Sequence, residues 1–305
     1  MTTFVIRRIL WIIPVLFAVS IITFLVMHAA PGGPWDRERK IPDAVRLNIE
    51  RKYGLDKPLW RQYVDYMAGA IHGDLGPSFR DPSRSIDEKI RAGLPATFQL
   101  GMMALVFAIV VGVSLGVIAA LRQNSWIDYL SMFFAMFGYS IPNFVLAVIL
   151  VVVFTASLHW LPSSGWGSWQ KWLMPALALG VGPAAILARY TRSSMLDVIR
   201  QDYVRTAEAK GLKKRGIVSR HMLKNAILPV VTILGPITAN LVTGSFVIER
   251  MFRIPGIGQY FVAGTMERDY PMIMGTTLFY AGVVAVMNLL VDMLYLVVDP
   301  RIRYN

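Results

Sequence analysis

The sequence contains no cysteine, and its four histidines are scattered along the chain. Disulfides, thiolate zinc sites, iron–sulfur clusters and cysteine nucleophiles are therefore excluded. Charged residues are also scarce, at 16% of the 305 residues against about 25% in an ordinary soluble domain. Hydrophobic residues make up 55% of the chain and lie in long unbroken runs, which indicates burial in lipid rather than in a large soluble core.

Sequence motifs for nucleotide or metal catalysis are missing as well. The chain has no Gly-x-x-x-x-Gly-Lys-Ser/Thr phosphate loop, so we do not expect it to hydrolyse ATP. It has no His-Glu-x-x-His zinc motif, and no metal site is expected. Ser163 and Ser164 lie near His159 in the sequence, but this arrangement is typical of a polar turn rather than of a serine protease. No set of residues therefore indicates an enzyme.

The apolar runs predict six membrane-spanning helices in an all-α integral membrane protein. Helices are expected because backbone polar groups in lipid must be satisfied within their own segment, and because the runs lack the alternation of a β-barrel. The third run would reach about 45 Å as one straight helix, so we predict a kink near Gly138 and Pro142. The predicted spans are Ile9–Met27, Phe98–Leu121, Tyr129–Leu158, Trp172–Ala188, Ala226–Ile248 and Met272–Val298.

Basic residues predict the orientation of these spans. The formal net charge is +12, and the segment 189–224 holds ten basic residues against three acidic ones. The positive-inside rule then places both termini in the cytoplasm, and no motif for nucleic acid offers another account of the charge. Arg7 and Arg8 precede an apolar run of about 22 residues, so we expect a retained membrane helix rather than a cleaved signal peptide.

The predicted spans divide the chain into four regions. These are an N-terminal tail with the first span at 1–30, an extracytoplasmic loop at 31–97, a membrane core at 98–298 with a cytoplasmic loop at 190–225, and a cytoplasmic tail at 299–305. Ser85 and Glu88 have the spacing of a capping box. The long extracytoplasmic loop is expected to be helical, at Pro42–Tyr53, Pro58–His72 and Ile86–Ala92.

The cytoplasmic loop contains a polar helical pattern that ends at a glycine. Residues 201–210 favour a helix, Gly211 favours a left-handed helix end, and a second basic helical stretch follows. The small side chains of Ala207 and Ala209 would let a partner protein approach closely. The same basic loop would also suit anionic lipid headgroups, so the residues alone leave both interpretations open.

Polar residues interrupt the last two spans. Asn240 lies in the fifth span, and Asp292 follows Asn288 by one turn in the sixth. All three are candidates for a translocation path or for pairing between helices. A carboxylate inside a membrane is costly and often functional, so Asp292 is expected either to line a translocation path or to pair with a neighbouring helix. In the second span, the spacing of Gly112 and Gly116 predicts close helix packing.

The loop between the fifth and sixth spans is rich in charge and would lie on the outer side. We expect it to serve as an outer gate or as a docking surface. Its candidate residues are Glu249, Arg250, Arg253, Glu267 and Asp269.

The cytoplasmic loop resembles the coupling loop of bacterial ATP-binding-cassette importer permeases, whose pattern is Glu-Ala-Ala, three residues, Gly and a later Leu-Pro. Ala207, Gly211 and the pair Leu228-Pro229 match this pattern. Arg205 and Thr206 replace its Glu and first Ala, and the spacing to Leu-Pro is longer. The form Tyr-Val-Arg-Thr-Ala-x-Ala-Lys-Gly is similar to the oligopeptide, dipeptide and nickel branch of the family. Segments 53–59, 73–78, 252–258 and 269–271 resemble the same branch, and the long outer loop resembles its B-type subunit.

The resemblance implies the type I importer permease fold and a transport subunit with no ATPase site or cofactor of its own. Its partners would be a second, C-type permease, two ATPase subunits that bind ATP and Mg²⁺, and an extracytoplasmic binding protein that delivers peptides and docks on the outer loop. The complex would lie in a prokaryotic plasma (inner) membrane. The residues that contact the ATPases would be Arg205, Thr206, Ala207, Glu208, Ala209, Lys210, Gly211 and Leu212.

Other substrates and another class of protein remain as alternatives. Relatives in the family carry nickel, glutathione or sugar oligomers. An ATP-independent channel or secondary transporter is the alternative class, although the inverted repeats and intramembrane charge relays common in such proteins are not evident.

Overall fold

Every regular element is helical in the part of the chain that the computed structural model describes, which comprises residues 2–34, 50–51 and 53–298. The predicted helix Pro42–Tyr53 lies mostly outside these residues, and the tail 299–305 lies wholly outside them. In chain order, the helices are α1 (Thr2–Ala29), α2 (Leu59–Ile71), α3 (Ile86–Leu121), α4 (Trp126–Ser140), α5 (Asn143–Leu150, continued by the π-helical segment Val151–Ser157), α6 (Trp169–Ile199), α7 (Asp202–Ala209), α8 (the helical turns Lys214–Gly216 and Leu223–Ala226 with the π-helical segment Ile217–Met222 between them), α9 (Leu228–Val242), α10 (Phe246–Met251), α11 (Gly258–Glu267) and α12 (Tyr270–Val298).

Five continuous stretches of the described chain are long and apolar enough to cross a membrane, and the helix pair α4 and α5, bent by 105°, makes a sixth when it is counted as one span. The prediction of six spans and of a kink near Gly138 and Pro142 is confirmed. The helix breaks at Pro142 because proline has no N–H to donate and disfavours helical backbone at the preceding residue. The five continuous stretches are Ile6–Ala29, Ile86–Leu121, Trp169–Ile199, Leu228–Met251 and Tyr270–Leu290.

The second span begins earlier than the sequence indicated. The predicted amphipathic helix Ile86–Ala92 continues through Pro95 into the membrane as one helix of 36 residues. The predicted cap at its start is confirmed, since the Ser85 Oγ accepts a hydrogen bond from the Glu88 amide at 3.4 Å. The sequence predicted two helices here, one starting at Ile86 and one at Phe98, whereas the structure has a single helix that starts at Ile86.

The most extensive helix contact joins α3 to α6. Gly112 and Gly116 of α3 lie against Ala184 and Ala188 of α6, so closely that a Cβ at either glycine would stand 2.5 Å from the facing carbonyl oxygen. This confirms the predicted packing role of the glycine pair. Without a hydrophobic driving force between helices in lipid, such close backbone approach is a main source of helix association.

The remaining helices pack around this central pair. Helix α4 packs on α6, α9 packs on α3 and α12, and α1 packs along α12. At one end of the bundle, α10 and α11 connect α9 to α12, and α2 lies where α1 ends and α12 begins. We call this end the cap face. At the other end, α7 and α8 connect α6 to α9, and we call it the basic face.

Candidate functional site

Helix α7 lies on the basic face and carries most of the predicted coupling segment, residues 205–212. Asp202 occupies its first turn, where a negative charge complements the helix dipole. The helix ends as predicted at Gly211, whose φ of +71° lies in the left-handed region. The Gly211 amide donates to the Glu208 carbonyl oxygen at 2.9 Å, and the Leu212 amide donates to that of Ala207 at 3.3 Å.

One face of α7 is buried against the chain itself. Val204 and Ala207, three residues apart on the helix, pack with Met195 of α6 and with Ile217 and Met222 of α8. Ala207 therefore does not present a small side chain to a partner, which corrects the expectation for that residue. The rest of the coupling segment is exposed: Arg205, Thr206, Glu208, Ala209, Lys210, Gly211 and Leu212.

A cavity of about 420 Å³ lies beside the bend between α4 and α5, and we call it the bend cavity. Residues of α4, α5, α6 and α9 line it, together with the turn before α10. Asn240, predicted for a translocation path, is one of its polar residues. The others are Tyr139, Asn143 and Ser245, which the sequence analysis did not single out. The sequence signal that could have identified these three residues is their position directly after a glycine or proline, the residue types that most often break a helix.

Two interruptions of helical backbone border the bend cavity. The first separates α4 from α5 at Ile141–Pro142, and the second separates α9 from α10 at Gly244, whose φ is +84°. Non-helical backbone at membrane depth is tolerated only where it is buried in protein or lines a water-filled cavity. The location of both interruptions at one cavity makes it the candidate translocation site of the described residues.

The other two residues predicted for the path lie elsewhere. Asn288 and Asp292 line an apolar groove of about 460 Å³ between α12 and α1. Asp292 forms an ion pair with Arg8 of α1, with the Arg8 Nε and an Asp292 carboxylate oxygen 3.1 Å apart. Of these three candidates, Asn240 alone lines the bend cavity, and Asp292 makes the helix pairing that was the second of its two expected roles.

Glu249 is fully buried, so it offers no surface for docking, which corrects that part of its expected role. Its carboxylate accepts hydrogen bonds from the Thr97 hydroxyl at 3.0 Å and from the Gly258 amide at 2.8 Å. The Thr97 oxygen accepts in turn from the Ile257 amide at 2.8 Å. These bonds fix the segment after α10 to α3.

The remaining charged candidates on the cap face divide into exposed and buried residues. Arg250, Arg253 and Glu267 are exposed, whereas Asp269 is buried. Asp269 caps α12 by accepting from the Met272 amide at 3.3 Å, and it accepts a hydrogen bond from the Ser78 hydroxyl. Asp269 is therefore a structural residue in this arrangement rather than part of a docking surface.

Two half-buried tyrosines lie close enough to Asp269 for its charge to affect the pKa of their hydroxyls. Burial raises the pKa of the Tyr66 hydroxyl, and the carboxylates of Asp269 and Asp74 raise it further. Burial also raises the pKa of Tyr53, with Asp269 as the second cause. Both hydroxyls therefore stay protonated at ordinary pH, and the cap face around Asp269 carries no phenolate charge.

An ion pair near the basic face was missed by the sequence analysis. Arg192 of α6 contacts Asp128 of α4 through two hydrogen bonds, from Nε at 2.6 Å and from an Nη at 2.7 Å. Asp128 is 1% exposed, and the Asn124 amide also donates to its carboxylate, at 3.0 Å. Both charged residues fell just outside the predicted spans, so no local pattern linked two residues 64 positions apart.

The described chain is a bundle of apolar helices with the length of membrane spans. Its cavity at two helix breaks and the exposed helix on its basic face are features that fit a multi-pass membrane transport protein. The family comparison agrees with that class. Residues 112–304 match the family described as the binding-protein-dependent transport system inner membrane component, and residues 1–100 match the N-terminal region of such membrane components. The chain belongs to this family of transport components.

Curated relatives and solved structures support the same assignment. The chain is 46% identical to the dipeptide transport system permease protein DppB of Bacillus subtilis, over 100% of this chain and 99% of the relative. It is 44% identical to the oligopeptide transport system permease protein OppB of Salmonella typhimurium over the full length of both. The fold matches a chain of the inward-facing MetNI methionine ABC transporter with a TM-score of 0.59 and 18% identity, covering 69% of this chain and 96% of that chain. The predicted importer permease fold is thereby confirmed.

Proposed function

We propose that this chain is a membrane-spanning subunit of an ATP-binding-cassette importer that carries dipeptides or oligopeptides. The observation that carries the proposal is the identity of 46% and 44% to a dipeptide and an oligopeptide permease, over practically the whole of each chain. Because the two identities are nearly equal, they favour short peptides as the substrate class and do not distinguish dipeptides from oligopeptides.

In this proposal, α7 receives an ATPase subunit, and ATP and Mg²⁺ bind to that partner. The exposed residues of the coupling segment support this role, because they project from the basic face while Val204 and Ala207 hold the helix to the bundle. The basic face and both termini then lie in the cytoplasm, with the complex in a prokaryotic plasma (inner) membrane. The ten basic residues of segment 189–224 support this orientation.

Two further partners complete the proposed importer. A second, C-type permease covers the open side of the bend cavity, since exposed carboxamides such as Asn143 and Asn240 are unfavourable against lipid. An extracytoplasmic binding protein delivers the peptide to the cap face, where Arg250, Arg253 and Glu267 are exposed.

Purification of the gently solubilised, tagged chain tests the assembly, followed by uptake in proteoliposomes. We expect mass spectrometry to find a second six-span permease and phosphate-loop ATPases, and labelled dipeptide uptake to require ATP and the binding protein. Uptake of nickel, glutathione or a sugar oligomer in place of peptide would reassign the substrate. Flux through the chain alone without ATP would indicate a channel or secondary transporter instead.

The role of the coupling segment is tested by replacing Gly211 with valine. A branched side chain at a φ of +71° costs about 1–2 kcal/mol locally, so the helix end rearranges where the ATPase docks. We expect peptide uptake per ATP hydrolysed to fall by about tenfold, with membrane insertion unchanged.

Gly216→Val is the matched control for this test. Gly216 also lies on the basic face with open space at its Cβ, but its φ of −67° is helical and accepts any L-residue. Normal coupling in both variants would refute the assignment of residues 205–212 to ATPase docking.

A further inference from the structure

The polar lining of the bend cavity consists of neutral groups. It has two carboxamides, Asn143 and Asn240, and the hydroxyls of Tyr139 and Ser245, and the rest of the lining is apolar or glycine. Among the residues that the structure describes, no Asp, Glu, Lys, Arg or His side chain lines this cavity. The cavity therefore differs from the charged cap face and basic face at either end of the bundle.

The two carboxamides stand at fixed positions beside the helix breaks. Asn143 is the first residue of α5, directly after Pro142, and Asn240 lies one turn before the break at Gly244. Both side chains are exposed on helices that cross the membrane. A carboxamide facing hydrocarbon without hydrogen-bond partners costs several kcal/mol on a water-to-cyclohexane scale, about 4 or more, so these groups are expected to meet water, protein or a polar ligand.

The size of the cavity agrees with a small polar ligand. Its volume of about 420 Å³ lies in the range of roughly 300–1,000 Å³ usual for sites that hold small molecules. A carboxamide carries both a hydrogen-bond acceptor and donors, so it matches the C=O and N–H groups of a peptide bond. Every peptide presents these groups, whatever its side chains.

We infer that the bend cavity binds the backbone amides of a short peptide in transit through Asn143 and Asn240, and that its neutral lining passes acidic, basic and neutral side chains alike. This inference rests on the proposed function and adds the chemistry by which the membrane site accepts its substrate. Discrimination by side-chain charge is thereby left to other parts of the importer.

The experiment introduces a charge where the lining has none. The complete importer, with saturating binding protein, is reconstituted in proteoliposomes carrying Asn240→Asp, and uptake is compared for Ala-Ala, Ala-Lys and Ala-Glu. The wild type should carry all three at similar rates. The variant should raise the ratio of Ala-Lys to Ala-Glu uptake by about tenfold, because the new carboxylate attracts one side chain and repels the other.

Matched variants make the result decisive. Asn143→Asp should shift the ratio in the same direction, whereas Asn288→Asp, in the groove between α1 and α12, should leave it unchanged. If the aspartate variants fail to assemble, Asn143→Ala and Asn240→Ala should lower uptake of all three peptides by a similar factor.

The possible failures are distinguishable. Peptide uptake with an unchanged ratio in both cavity variants, or with full rates in both alanine variants, would overturn the inference and leave the proposed function intact. Absence of peptide uptake by the wild-type importer, with another substrate carried, would overturn the proposed function itself.

Discussion

Thr97 and Glu249 form a fully buried polar contact in a mostly apolar bundle. The Thr97 hydroxyl donates to Glu249 and accepts from the Ile257 amide, so one side chain satisfies groups on two segments. Glycine is required beside them, because a Cβ at Gly256 would stand 2.5 Å from the Thr97 hydroxyl oxygen. A buried polar group that loses its partner costs about 1–3 kcal/mol, so this contact is sensitive to small changes.

Replacement of Thr97 by valine should destabilise the protein by about 1–3 kcal/mol. Valine has nearly the same shape but leaves the Ile257 amide and a Glu249 oxygen without their partner. The measurement is the thermal unfolding of the purified complex in detergent. Thr97→Ser keeps the hydroxyl and serves as the control, and equal melting temperatures for the two variants would show that the hydrogen bonds contribute nothing.

At the scale of the elements, the contact between α3 and α6 is the most extensive one that holds the described helices together. Small residues recur on both helices where they cross, and Gly180 of α6 faces Ala104 of α3 as Gly112 faces Ala184. The glycine spacing on α3 was visible in the sequence, and it predicted close packing correctly. The sequence did not identify α6 as the partner, because each span offers small residues to several possible neighbours.

Gly116→Ala should weaken this contact by about 1–3 kcal/mol, because the new methyl group forces the two helices apart. The Cβ would stand 2.5 Å from the Ala188 carbonyl oxygen and 2.6 Å from the Thr191 Cβ. Gly282→Ala in α12 is the control, since among the described residues no atom beyond the adjoining backbone of its own helix lies within 4 Å of that Cβ. The melting temperature in detergent should fall for Gly116→Ala alone, and a fall of equal size in both would refute the packing explanation.

At the scale of the whole molecule, one series of contacts joins the basic face to the bend cavity. Val204 of α7 packs with Met195 near the end of α6, one turn from Arg192. Arg192 contacts Asp128 at the start of α4, and α4 leads to the bend that borders the cavity. A displacement of α7 by a partner would therefore reach the cavity through α6 and α4.

Asp128→Asn should reduce peptide uptake by the complete importer more than it reduces ATP hydrolysis. Breaking a fully buried ion pair on one side costs about 3–5 kcal/mol, and the cost here is smaller because the Arg192 side chain is 27% exposed. The substitution also weakens the contact between the start of α4 and α6. The double variant Asp128→Arg with Arg192→Asp should recover part of the uptake. Paired measurements of uptake and ATPase rate in proteoliposomes check this prediction.

An exposed ion pair on the cap face provides the control for the Asp128 variant. Lys57 donates a hydrogen bond to the Asp65 carboxylate at 2.7 Å. This hydrogen bond, together with the positive charges of Lys57 and Arg61, lowers the pKa of the Asp65 carboxyl. Asp65→Asn should change neither uptake nor ATPase rate, since exposed pairs are screened by water and salt. Equal effects of Asp65→Asn and Asp128→Asn would contradict the role of the contact between α4 and α6.

The sequence by itself determined the features that depend on neighbouring residues. Apolar length predicted the spans, Pro142 the bend, Ser85 the start of α3 and Gly211 the end of α7, because each follows from local backbone chemistry. Only the tertiary structure decided that Ala207 faces inward, that Glu249 is buried, that Asp128 meets Arg192, and that Asn143 and Asn240 share one cavity. These outcomes depend on the rotation of each helix about its axis and on its choice of neighbour. Both are set by packing between residues far apart in the chain, which no local pattern records.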